Sequence, residues 1–183
     1  MRTVEIIEQV ESRITSLEAT KDYLEIDDAT QDDILGVLID AASDYVKHAT
    51  GLEFVETTYK EAIDGKGRKA LTLSQHPVIS IASLEVNDRV IEEYHQYDSG
   101  VIKRKSNIFP EGDLNVEIEY TAGYKEIPQD LQKAVWSMIN TQLEGKDYEG
   151  LESYSIGDES MTWRTDNLPP ETVQTIQSYK SVM

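Results

Sequence analysis

The spacing of apolar residues changes twice along this chain, and that change limits the fold more than any other feature. From Phe54 to Tyr124 apolar positions recur every second residue, as in Val116, Ile118 and Tyr120, whereas on either side they recur at three and four. A period of two belongs to strands and a period near 3.6 to helices. An α+β fold follows: a small helical bundle with an inserted β-rich lobe. The 183 residues give room for one core and such an insertion, not for two large domains. The expected parts are helices over 1–51, a lobe of five to seven short strands over 52–126, and a helix, a loop and a short terminal helix over 127–183.

Val4, Ile7, Val10, Ile14 and Leu17 lie at helical spacing against Glu5, Glu8, Ser12 and Arg13, which predicts an amphipathic opening helix over 1–14. Thr15 with Glu18, or Ser16 in its place, caps a second short helix over about 17–25. Thr30 or Asp28 caps a third over about 31–49, whose inner face is read as Ile34, Leu38, Ala42, Tyr45 and Ala49. Gly51 is its natural stop, because glycine takes the left-handed C-terminal conformation at little cost. Pro128 suits a helix start, and Leu131, Ala134, Val135, Trp136, Met138, Ile139 and Leu143 cover an arc of about 200° on the helix it opens. That arc is broader than one core needs. Residues 146–167 read as a loop with a short strand near Met161–Arg164, and Leu168-Pro169-Pro170-Glu171 opens a last helix to about Tyr179.

Within the lobe, Asp64-Gly65-Lys66-Gly67 reads as a hairpin loop between 55–63 and 68–73, and Asn87-Asp88 as a turn between 84–86 and 90–91. Strands are also expected at 78–81, 101–103 and 115–120, the last with one wet face. Lys103-Arg104-Lys105, three adjacent bases on a hairpin, reads as a solvated guard on a sheet edge.

Charge and composition remove most chemistry. Thirty-five acids against 17 bases leave −18, spread along the whole chain, and such a surface repels phosphate backbones and anionic lipid. No run approaches the roughly 18 apolar residues of a membrane span, and the opening residues lack a signal-peptide pattern, so a soluble cytosolic protein is expected. The absence of cysteine excludes disulfides, thiolate metal sites and a cysteine nucleophile. His48, His76 and His95 have no partner at metal-helix spacing, Ser74 beside His76 lacks a third member, and no glycine loop fits a phosphate. Asp27, Asp28, Asp32 and Asp33 lack the calcium-loop pattern and read as capping acids. No cofactor or metal and no catalytic residue is assigned.

What remains is contact material. Ten Tyr stand against two Phe and two Trp, and Tyr and Trp bury large areas while keeping a polar tip. Trp136 calls for cover from the β lobe, the last helix or another subunit. The candidate subunit or partner contacts are Trp136, Ile139, Leu143, Tyr154, Met161, Trp163 and Arg164. The stretch Lys146–Asn167, with Trp163 as anchor, is expected to order on binding.

Several phrases in fixed order carry a family likeness: residues 16–27 (Ser-Leu-Glu-Ala-Thr-Lys-Asp-Tyr-Leu-Glu-Ile-Asp), 32–51, 76–86 (His-Pro-Val-Ile-Ser-Ile-Ala-Ser-Leu-Glu-Val), 118–124 (Ile-Glu-Tyr-Thr-Ala-Gly-Tyr), 127–131 and 155–160. Together they resemble the head–tail connector proteins of tailed bacteriophages, also called head-completion or adaptor proteins. The opening segment at 1–14 departs from the family's pattern. The resemblance implies a virion structural protein assembled in the host cytoplasm, a ring of about twelve copies, closed by heterologous contacts. Its partners would be the portal protein and a tail or stopper protein, with DNA passing through unbound. A metal-dependent hydrolase using Asp27, Asp28, Asp32 and Asp33, and a non-viral protein-binding module using the β lobe, are the rival readings.

Overall fold

A computed structural model describes residues 1–9, 11–144 and 168–180. The fold is α+β, with four helices and seven strands among the described residues. The chain forms two compact units: Met1–Ser12 with Leu52–Glu126, and Arg13–Gly51 with Ile127–Met183. The loop and short strand expected within 146–167 lie outside the described residues.

The opening segment is not a helix. Arg2–Gln9 is a strand, β1, paired antiparallel with β2, Thr57–Gly65. Thr3, Val4, Ile6 and Ile7 are β-branched, a class that fits a pleated surface better than a helix, and the alternation Arg2, Val4, Ile6 competes with the helical spacing. The free edge of β2 decides the contest.

β4 (Val78–Val86) and β7 (Gly112–Ala122) complete a four-stranded sheet in the order β1-β2-β7-β4. The strands expected separately at 78–81 and 84–86 run as this single β4, and Val90 makes only an isolated bridge with Glu85. The Asn87-Asp88 turn forms as expected, both residues having positive φ while Val86 and Arg89 exchange backbone bonds.

β3 (Ala70–Thr72), β5 (Tyr94–Gln96) and β6 (Val101–Arg104) form a second sheet in the order β3-β6-β5. The loop after β2 therefore joins two different sheets and is no hairpin, because β3 pairs with β6 and not with β2. Lys103 and Arg104 likewise sit on a central strand, not an edge. Leu73 and Ile102 from this side meet Tyr59, Ile63, Leu84, Val116, Ile118 and Tyr120 from the other in one core. The two sheets are thus layers about shared apolar contents, with their remaining faces turned outward. Gly123, at φ +108°, lets the end of β7 pass Val55; a Cβ there would stand 2.4 Å from the Val55 carbonyl oxygen.

In the helical unit, α1 (Leu17–Leu24) is capped by Ser16, whose hydroxyl accepts the Ala19 N–H at 3.1 Å. α2 (Asp32–Thr50) follows Gln31, which gives no side-chain cap; Asp28 instead closes a turn on the Thr30 N–H at 2.8 Å. Gly51 ends α2 at φ 76°. The buried stripe of α2 is Leu35, Leu38, Ile39, Ala42 and Val46, rotated from the expected one so that Ile34, Tyr45 and Ala49 lie at its margin. α3 (Gln129–Glu144) begins directly after Pro128 and packs against α1, α2 and α4 (Pro170–Ser178). Three neighbours within one unit account for its wide apolar arc. Each fully buried Leu or Ile there contributes about 1.5–3 kcal/mol.

Candidate functional site

The residues that invited a metal or nucleophile reading do not gather into one site among the described residues. Asp32 pairs with Lys21 at 2.6 Å, and Asp28 accepts both the N–H and the hydroxyl of Thr30, bonds that hold its carboxyl below the usual range. Asp27 and Asp33 are exposed. Among the described residues no group of three His, Asp or Glu side chains converges on one point. His48 Nδ1 is 2.8 Å from the Asp44 carbonyl, His95 is exposed on β5, and burial lowers the pKa of His76. Ser74 turns to a carboxylate rather than to histidine.

That carboxylate is Glu61, a residue the sequence analysis did not single out. Alternation along β2 places Tyr59, Glu61 and Ile63 on the core face, and Glu61 is fully buried. The Tyr120 hydroxyl donates to its Oε2 at 2.7 Å, as do the Ser74 hydroxyl at 2.9 Å and the Ser74 N–H at 3.2 Å. Oε1 lies 2.9 Å from Arg2 Nε without an aligned hydrogen bond, so an ionic contact meets it. A buried carboxylate is tolerated only when paired and bonded in this way. Burial pushes the Tyr59 hydroxyl up to about 12 and raises Tyr120 further, helped by the adjacent Glu61. Both tyrosines stay neutral, so Tyr120 remains a donor. Arg2 also donates to the Thr72 carbonyl at 2.5 Å, so one side chain of β1 ties both sheets together.

The expected contact residues separate. Ile139 is fully buried and Leu143 is 8% exposed, both inside the helical unit. Trp136 is half-buried: its Nε1 donates to Thr15 Oγ1 at 2.9 Å, and its ring stacks on Tyr23 at 4.7 Å. Its cover therefore comes from α1 and the residue ahead of it. Tyr154, Met161, Trp163 and Arg164 lie outside the described residues. Among the described residues the exposed aliphatics cluster on β1, where Val4, Ile6 and Ile7 are 45%, 54% and 50% exposed on the outer strand of the four-stranded sheet, while Val90 and Ile108 stand singly elsewhere in the β unit. An outer strand also presents unpaired backbone groups, a ready template for contact.

The model of the family described as "Head completion protein" matches residues 13–182. The chain belongs to the head completion protein family. It is a structural protein of bacteriophage head completion, within virion assembly. The family match of this head completion protein begins just after β1, so the strand carrying the exposed aliphatics lies outside it.

Solved structures resemble the fold over nearly its whole length. A chain from the neck of an empty gene transfer agent particle, computed with C6 symmetry, has a TM-score of 0.65 at 17% identity, covering 99% of this chain and 96% of that one. Identical values hold for a chain of the virion of the native gene transfer agent particle. A chain from the native particle's neck, computed with C12 symmetry, gives 0.64 with the same identity and coverage. At that identity the likeness establishes the fold. No curated protein matches the chain in sequence.

Proposed function

We propose that this head completion protein forms a ring of about twelve copies between the portal protein and the tail or its stopper, lining the channel through which DNA passes. The observation that carries this reading is the likeness of fold, over 99% of the chain, to a neck component of a particle computed with C12 symmetry. The charge supports it. A surface at −18 per copy makes a channel wall that DNA does not adhere to, since no counterions are released on contact.

The protein acts by assembly and carries no catalytic activity, in the virion and beforehand in the host cytoplasm. Contacts between neighbours are weak singly and persist through ring closure and the portal template. The portal side is assigned to Tyr154, Met161, Trp163 and Arg164, large side chains in an otherwise polar stretch, and Trp136 with Tyr23 offers a second, half-open aromatic surface.

Deletion of the gene tests the proposal. Filled heads without tails should accumulate, and cryo-electron microscopy of complemented particles should show the ring at the junction. Infectious tailed particles made without the protein would overturn it.

A further inference from the structure

The two outward faces of the β unit carry opposite charge. On the four-stranded sheet, residues opposite each other across the ladders share a face. One outward row is Thr3, Ala62, Glu117 and Glu85; the next is Glu5, Lys60, Glu119 and Ser83. Four glutamates thus surround one lysine, which pairs with Glu117 at 3.1 Å and whose pKa is raised by Glu117 first and then by Glu5 and Glu85.

The three-stranded sheet is the reverse. Lys103, at its centre, lies between Ala70 and His95 in register, and all three are exposed. Lys105 continues the same face, its N–H donating to the carbonyl of Glu93, the exposed acid in register with it, at 3.1 Å; Arg68 extends the basic row ahead of β3, and Lys69 beside it is exposed too, so bases still outnumber the acid on this face. None of these four bases makes an ion pair among the described residues, in a chain where acids outnumber bases two to one. Arg104 alone turns inward, donating to the Ile108 carbonyl at 2.7 Å and lying over Phe109.

Because both sheets enclose one core, the basic and acidic faces look in opposite directions. We infer that the β units of neighbouring copies stack front to back, the Lys103–Lys105 face of one copy on the Glu85–Glu119 face of the next. This deepens the ring reading and rests on it. A front-to-front contact would oppose like charges, whereas front-to-back contact matches them and is the heterologous kind that generates rings. It also resolves a difficulty of the composition: copies at −18 repel one another unless their bases are concentrated where a neighbour's acids lie.

The full chain is tested by sedimentation velocity with two variants, Lys103→Glu/Lys105→Glu and Glu85→Lys/Glu119→Lys. Each should self-associate at least about tenfold more weakly than the unsubstituted chain at 0.1 M salt, with the difference collapsing near 1 M. An equimolar mixture should regain association, because one variant presents two acidic faces and the other two basic ones; a misfolded variant would not be rescued. The chain lacks cysteine, so Lys103→Cys and Glu119→Cys copies can be bridged by a short bismaleimide, cross-linking when mixed and not when alone. Normal association of both variants, failure of the mixture, or absence of the mixed cross-link overturns the inference. So does a Lys103→Glu/Lys105→Glu chain that associates normally but loses salt-sensitive retention of duplex DNA, which would assign the basic face to nucleic acid. A ring seen in particles with other faces apposed defeats this contact and leaves the ring standing; a neck without the protein defeats both.

Discussion

Among the described residues of the helical unit the buried polar side chains are hydroxyls, each with a nearby partner: Thr15 with Trp136, Thr20 with the Ser16 carbonyl, Ser43 with the Ile14 N–H, Thr50 with the Val46 carbonyl, Thr172 with Ser137. Inside the β unit the buried polar centre is a carboxylate held by an arginine, a tyrosine and a serine. Outside, the contrast continues. The apolar arc of α3 is consumed by α1, α2 and α4, while β1 leaves three aliphatics in water and the outer sheet faces are strongly charged. Among the described residues, most exposed apolar surface therefore belongs to the β unit, and the helical unit leaves open chiefly Tyr23, at 45%, beside the half-buried Trp136.

Unfolding experiments can break this comparison, because in a Trp163→Phe background Trp136 is the remaining tryptophan and reports on the helical unit. Tyr120→Ala should cost the β unit about 3–5 kcal/mol in urea denaturation while Trp136 fluorescence moves little. Equal shifts in both signals would mean that the units melt as one block. Arg2→Ala strips Glu61 of its cation and should cost about 2–3 kcal/mol, less than a fully buried pair because Arg2 is partly exposed. Glu61→Gln on that background should restore part of the loss; no coupling in the double-mutant cycle would remove the ion pair from the account.

Alkali should act on the β unit next. A phenol whose pKa is raised by folding contributes stability that is complete below its unfolded value near 10 and drains as pH rises toward the folded one. For Tyr59, pushed up to about 12, this amounts to about 2 kcal/mol between pH 10 and 12, and Tyr120 adds in the same direction. Tyr59→Phe should flatten that loss. The smallest effect belongs to the helical unit: Trp136→Phe keeps the stack on Tyr23 but drops the Thr15 bond, at about 1 kcal/mol.

Much of this contrast was legible from residue spacing. The strict alternation of Val116, Ile118 and Tyr120 locates β7 and its wet face, Ser16 and Gly51 mark the ends they cap, and the broad arc of α3 is real. What spacing lacks is partners. Residues 2–9 fit either period, and only pairing with β2 selects the strand. The same lack hid which element fills the arc of α3, and it turned Lys103 from a presumed edge residue into a central one, since sheet order depends on contacts far apart in sequence. Glu61 was readable in principle: a single acid on the inward side of a strand, between Tyr59 and Ile63, signals a buried charge awaiting a cation.

The separation of β1 from β2 bears on biogenesis. On the ribosome the aliphatic strand is made before both α1 and α2, while its pairing edge follows more than 40 residues later. At roughly 5–20 residues per second that interval lasts about 2–10 s. Throughout it, Val4, Ile6 and Ile7 belong to a nascent chain with no sheet to join, so the strand stays unpaired and its aliphatics open to water until β2 emerges.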